Sequence, residues 1–216
     1  MTRTYRWMAC GLLITFAAAF VTATTPLIYV VDSLYLLFTI AELALVFVLS
    51  ARVQNMSVGA ARGVFLGYAL LNGMVLSYYF LVFSASTLIM ALLATSLYFG
   101  LMAVYGTTTH KDLTGWGPKL MGGLVALIVC SLVGGLFSLF GFGFGIMDLV
   151  LCAVGLLIFM GLTAYDTQML KYYYSYFGGD AAMLHKSSII GALNLYLDFI
   201  NIFLYILRML GRRSND

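Results

Sequence analysis

Three carboxylates stand where an apolar sequence should have none. Asp166, Asp198 and Glu42 each interrupt a hydrophobic run, and Arg52 closes the run that holds Glu42. A charge within a lipid-spanning run is expensive, so it normally turns toward protein interior or water. Asp198 is the clearest case, about ten residues into the last run and so roughly 15 Å along a helix. It belongs to a series, Asn194, Asp198, Asn201, Tyr205 and Arg208, spaced i, i+4, i+7, i+11, i+14. That spacing is one helix face. Lipid cannot satisfy such a stripe, which should therefore face the middle of a bundle. It reads either as a hydrogen-bonded core tying helices together or as a functional path.

Asp166 lies in Ala164-Tyr165-Asp166-Thr167-Gln168, toward the same membrane side as Arg52. A charge-assisted pair between these two would tie the second run to the sixth. Two carboxylates that approach each other cannot both ionise cheaply, and they titrate as a unit. Asp166, Asp198 and Arg52 thus have the ingredients of a pH-sensitive latch. Ionised Asp166 would hold Arg52, and protonation would release it. The same hard oxygens suit the passage or brief binding of a hard cation such as Ca²⁺. Glu42, about 15 Å from Arg52 along a helix, reads as an interior-facing polar group, a support to the site together with Asn194 and Asn201.

Other chemistries fit less well. Tyr165-Asp166 resembles the Tyr-Asp motif of intramembrane aspartyl proteases, in which two aspartates share a proton for water attack. The second aspartate of that class belongs in Gly-x-Gly-Asp, whereas here it stands in Tyr196-Leu197-Asp198-Phe199. The last run has no lysine for a Schiff base, and the chain has neither a Gly-x-x-x-x-Gly-Lys loop nor a His-Glu-x-x-His motif. His110 and His185 read as loop residues. Cys10, Cys130 and Cys152 fall in apolar runs without ligand spacing, and their odd number argues against a disulfide framework. The chain is not expected to be an enzyme or to carry a cofactor.

The elements that must hold these groups follow from composition. Of 216 residues, 63% are hydrophobic and 9% charged, against roughly 25% charged in an ordinary soluble domain. Lipid is the solvent such a surface suits. Seven crossings of ~20 residues each would occupy about two thirds of the chain. The expected fold is all-α and integral to the membrane, a single seven-helix domain over residues 1–216. The first run, 7–28, ends near Pro26; it exceeds a signal-peptide core, and no A-x-A-like site with a polar mature start follows it. The second is 33–51. Between Arg62 and His110 lie 47 residues without formal charge, which Ser84-Ala85-Ser86 divides into a third and a fourth span. The fifth is 118–140, followed by a turn at Gly141, Gly143 and Gly145. The sixth is 148–168 and the seventh 188–210. Gly59, Gly63 and Gly67, together with the Gly122-Gly123 and Gly134-Gly135 pairs, suggest close helix contacts.

Loop charge is one-sided. With sides numbered alternately, Arg3, Arg6, Arg52, Arg62, Lys111, Lys119, Lys171 and Lys186 share the N-terminal side, while the three loops opposite carry no Lys or Arg. That places the N-terminus in the cytoplasm. Arg208, Arg212 and Arg213 would then face outward if the last run crosses fully, the alternative being a re-entrant segment. The net charge of +3 serves topology and does not suggest nucleic acid.

Two stretches, Phe159-Met160-Gly161-Leu162-Thr163-Ala164-Tyr165-Asp166-Thr167-Gln168 and Gly191-Ala192-Leu193-Asn194-Leu195-Tyr196-Leu197-Asp198-Phe199-Ile200-Asn201-Ile202-Phe203, resemble the Bax inhibitor-1 family, the transmembrane Bax inhibitor motif proteins. The remainder agrees in span count and loop charge. The long connection with Lys171, Asp180, His185 and Lys186 resembles the bacterial branch, and so implies a bacterial inner membrane. The resemblance implies seven transmembrane helices with the last central and surrounded by the other six. It implies pH-dependent Ca²⁺ leak, with Asp166 and Asp198 as pH sensor, Arg52 as the arginine that engages it, and Glu42 as the glutamate of the second helix. Ca²⁺ is then a permeant ion, and acid is expected to loosen the latch and raise the leak. A membrane AAA protease is implied as a partner, since some bacterial members are linked to one. The competing reading is a membrane-embedded regulator that binds other membrane proteins.

Overall fold

The computed structural model describes residues 1–52, 55–139, 145–176 and 181–213, and within them every regular element is helical. The helices are α1 (Thr2–Thr24), α2 (Leu27–Ser33), α3 (Tyr35–Arg52), α4 (Val58–Val82), α5 (Ala85–Thr108), α6 (Gly117–Leu139), α7 (Gly145–Tyr176) and α8 (Ala181–Arg213), with a 3-10 turn at Thr114–Trp116. Six are long and apolar enough to cross a membrane: α1, α4, α5, α6, α7 and α8. A seventh crossing exists if α2 and α3 count as one span, and these are bent by 81°.

That bend lies at the start of the expected second span, 33–51, which α3 otherwise matches. The residues just before it, Leu27–Ser33, form a separate helix that the sequence did not announce. Pro26 removes a backbone donor after α1, and Thr25 before it is extended, at φ −124° and ψ 166°, as a residue preceding proline prefers. Thr24 and Thr25 donate their hydroxyls to the Phe20 and Val21 carbonyls, at 2.8 and 2.7 Å. The first helix accordingly stops at Thr24, short of residue 28. Ser33 likewise donates to the Tyr29 carbonyl at 2.8 Å, and such local bonds compete with helix continuation. Leu34, at φ −114° and ψ 19°, makes the break. The division of the 47-residue run at Ser84 appears as expected, between α4 and α5. The sixth and seventh helices outrun their apolar cores, α7 to Tyr176 and α8 from Ala181. Hydropathy marks where lipid lies, whereas backbone hydrogen bonding decides where a helix ends. Gly141 and Gly143 lie outside the described residues, and Gly145 is the first residue of α7. α8 is unbroken from Ala181 to Arg213, so the last run does not double back as a re-entrant segment would.

The chain forms two compact units, Met1–Ala85 with Leu170–Tyr196, and Ser86–Met169 with the chain from Leu197 on. In the first, α1 packs along α4, and α3 packs on α4 as well. α4 buries Ala61, Phe65, Ala69, Asn72 and Leu76, a stripe at helical spacing. Its start is capped by Ser57, whose hydroxyl accepts from the Ala60 amide at 3.2 Å. The α1–α4 contact is made backbone to backbone, because a Cβ on Gly73 would strike the Thr15 carbonyl oxygen. In the second unit a Cβ on Gly106 of α5 would strike the Ala164 carbonyl of α7. Of the glycines expected at such contacts, Gly123 lies against Ile158, 3.3 Å from a Cβ position, whereas Gly59, Gly63, Gly67, Gly122 and Gly135 have nothing within 4 Å among the described residues. A four-residue repeat defines a face but not whether a helix covers it.

Candidate functional site

α7 and α8 bring Asp166 and Asp198 into the second unit together. Asp198 is 3% exposed, and Asp166 is half-buried. They are near enough for their charges to act on each other. Thr163, one helical turn before Asp166, is fully buried and hydrogen-bonds with Asp198. It also donates to the Phe159 carbonyl at 2.8 Å. A hydroxyl has one proton, so two acceptors compete for it. Asp198 Oδ2 is buried and has no hydrogen-bond partner. Nearly all buried polar atoms have one, so this oxygen marks Asp198 out among the buried groups.

Local packing fixes the register of α7 around Asp166. Tyr165 lies against Gly117, where a Cβ would come within 2.5 Å of the ring. Gln168 donates from Nε2 to the Lys111 carbonyl at 2.8 Å, and its Oε1 accepts from the Leu113 amide at 2.8 Å. The α5–α6 connection is thereby clamped to α7 two residues beyond Asp166. On α8, Asn201 donates Nδ2 to the Leu197 carbonyl at 2.8 Å, so part of its amide serves its own helix. Tyr205 packs its ring on Phe159, at 6.0 Å between centroids. The stripe read from the sequence is graded: Asp198 is buried, Asn194, Asn201 and Tyr205 are half-buried, and Arg208 is exposed.

Glu42 and Arg52 belong to the first unit. Arg52 is exposed in the last turn of α3. Half-buried Glu42 is held from α4: Asn72 Nδ2 donates to its Oε1, and Tyr68 donates to the same oxygen at 3.4 Å. Asn72 Nδ2 also lies 3.3 Å from the Tyr68 oxygen, while Asn72 Oδ1 is buried without a partner. A second relay stands beside it. Thr15 donates to the Ala69 carbonyl at 2.8 Å and lies 2.6 Å from the Tyr196 hydroxyl. With the Thr15 proton on Ala69, Tyr196 is the donor to Thr15. The Tyr196 ring meets Tyr68 and Phe65 edge-on, at 5.7 and 5.8 Å. Such pairs add to area burial.

Sequence reasoning did not assign Thr163, Gln168, Tyr68, Asn72, Thr15 or Tyr196. Their signals were present: Thr163 and Gln168 flank Asp166 at −3 and +2, and Asn72 is an amide deep in an uncharged run. Among the described residues, no three His, Cys, Asp or Glu side chains gather as a metal cage. Two carboxylates fall short of the roughly six to eight oxygens that hold Ca²⁺ firmly.

Known proteins match along the whole length. A family model described as Inhibitor of apoptosis-promoting Bax1 matches residues 1–215. Inner membrane protein YbhL of Escherichia coli K12 is 39% identical over 223 residues, covering 99% of this chain and 91% of that protein. An uncharacterized protein of Deinococcus radiodurans is 42% identical over 215 residues, covering 99% and 90%. An uncharacterized membrane protein of Streptococcus pyogenes is 37% identical over 175 residues, covering 81% and 73%.

Proposed function

The chain belongs to the Bax inhibitor-1 family, and from that premise we propose that it is a pH-dependent calcium leak channel gated by Asp166 and Asp198, with Arg52 as the counter-charge. The observation that carries the reading is the orphaned Oδ2 of Asp198, buried in a membrane-spanning helix with a second carboxylate near it. A buried carboxylate with an open oxygen and a second carboxylate near it has two ways to meet its charge, a proton or a passing cation. Competition between them makes cation passage depend on pH. Acid protonates Asp166, frees Arg52 and raises the leak. In the same reading α2 and α3 form the second of seven crossings, and α8 is the central helix. Its support is burial: 56% of the α8 membrane window is buried, against 44% for α4, the next most buried span. The N-terminus is cytoplasmic, as the one-sided loop charge requires, and the membrane is a bacterial inner membrane.

The test is Ca²⁺ flux into proteoliposomes from about pH 5 to about pH 8, with Asp166→Asn and Asp198→Asn beside the unaltered chain. Flux should rise toward acid, and either change should flatten its pH dependence. Variants that leak like the unaltered chain at every pH would remove the sensor assignment. No flux above protein-free vesicles at any pH would overturn the channel reading in favour of a regulator of other membrane proteins.

A further inference from the structure

Where the end of α1, the short α2 and the last turns of α4 meet, the first unit holds a cavity of about 610 Å³. Tyr29, Tyr35 and Tyr78 stand in its wall, and among the described residues that line it Asp32 is the only charged one. Asp32 and the three tyrosines are exposed. The threonine and serine hydroxyls of the lining already donate elsewhere: Thr24 to Phe20, Thr25 to Val21, and Ser77 to the Met74 carbonyl at 2.6 Å. Each has a single proton, so each offers the cavity only acceptor lone pairs. A carboxylate, acceptor oxygens and aromatic faces share one preference, for a cation that carries N–H donors. A ligand of net negative charge would meet the Asp32 charge with no basic side chain among the lining residues to offset it. A bare divalent ion takes roughly six to eight oxygens and gains little from tyrosine walls.

The setting narrows the cation further. The cavity lies at the ends of α1 and α4, two helices fit to cross the membrane. Such ends sit at headgroup level, where tyrosine is common on its own account. An aromatic belt explains the tyrosines but not the lone acid. Below them, Val75, Tyr78 and Leu81 follow i, i+3, i+6 on α4, with Tyr78 and Leu81 exposed. An apolar track therefore leads away from Asp32 and the tyrosines.

We infer that this cavity binds the headgroup of phosphatidylethanolamine, with its ammonium between Asp32 and the three tyrosines and its chains along Val75 and Leu81. The site is separate from the aspartate pair, and its readout is lipid retention, so a failure of the channel reading leaves it standing. The experiment is native mass spectrometry of the full chain in detergent, offered phosphatidylethanolamine and phosphatidylglycerol with the same acyl chains. The ethanolamine lipid should be retained on the order of tenfold better. Asp32→Asn should abolish that preference, and Tyr78→Leu should weaken it. Asp32 is exposed, and an unchanged thermal melt of Asp32→Asn shows that folding is not the cause. Equal retention of the two lipids, or an undiminished preference in Asp32→Asn, overturns the assignment. Displacement of the lipid by soluble phosphoethanolamine at equal concentration makes a free amine the occupant and overturns the lipid. Displacement by Ca²⁺ that requires Asp32 makes the cavity an ion vestibule and overturns it as well.

Discussion

Tyr196 shows how much a single side chain carries in this protein. It is fully buried, donates to Thr15, and meets Tyr68 and Phe65 edge-on. Tyr196→Phe keeps the ring and removes one hydrogen bond, so a loss of about 1 kcal/mol is expected. Tyr196→Leu also loses the ring pairs and should cost about 3 kcal/mol. Thermal unfolding in detergent measures both, and equal melting of the two variants would show that the hydroxyl relay, not the ring, holds the site. Charges were the residues most legible in the sequence. Asp166, Asp198 and Glu42 stand out because lipid makes any charge conspicuous. Thr163, Asn72 and Gln168 did not stand out, since neutral polar residues occur throughout membrane helices and satisfy themselves locally. Thr95, which donates to the Ala91 carbonyl at 2.7 Å on its own helix, looks no different in sequence from Thr163. What separates them is the neighbour that folding brings.

At the scale of helices, hydropathy located the membrane-crossing runs and missed the short helix and the bend just before the second. An apolar run of 33–51 gives no sign that the chain turns by 81° at its start; the turn resides in Pro26 and in hydroxyl and backbone competition at Ser33. Helix contacts were less legible still. The repeat at Gly59, Gly63 and Gly67 faces open space, while Gly73 and Gly106 touch neighbouring backbones. Substitution should separate the two classes. Gly73→Leu forces α1 off α4, and a loss of about 3 kcal/mol or failure to accumulate is expected. Gly63→Leu should stay within about 0.5 kcal/mol of the unaltered chain. Melting temperatures in detergent check both, and a Gly63→Leu variant as damaged as Gly73→Leu would mean that the open face is covered in the membrane.

For the whole molecule, loop charge is the most informative quantity that the sequence offers about orientation. Eight basic residues on one side and no Lys or Arg in the loops opposite predict which connections water-soluble reagents reach. With Cys10, Cys130 and Cys152 replaced by Ala, a cysteine at Ser84 should react with an impermeant maleimide added outside cells, and one at Asp112 only after the membrane is opened. The reverse pattern would invert the topology. Family membership was legible from two stretches near the C-terminus, because the helices that carry Asp166 and Asp198 hold the most specific residues. The length of those helices was not, and it bears on physiology. α7 and α8 have 32 and 33 residues and so extend roughly 48 to 50 Å, well beyond a hydrocarbon layer of about 30 Å. α1, with 23 residues, reaches roughly 35 Å and is close to a match. Overlong helices meet the oil by tilting or by projecting beyond it. The two carboxylates ride on the two longest, so the acyl-chain length of the host membrane sets how far they stand from water.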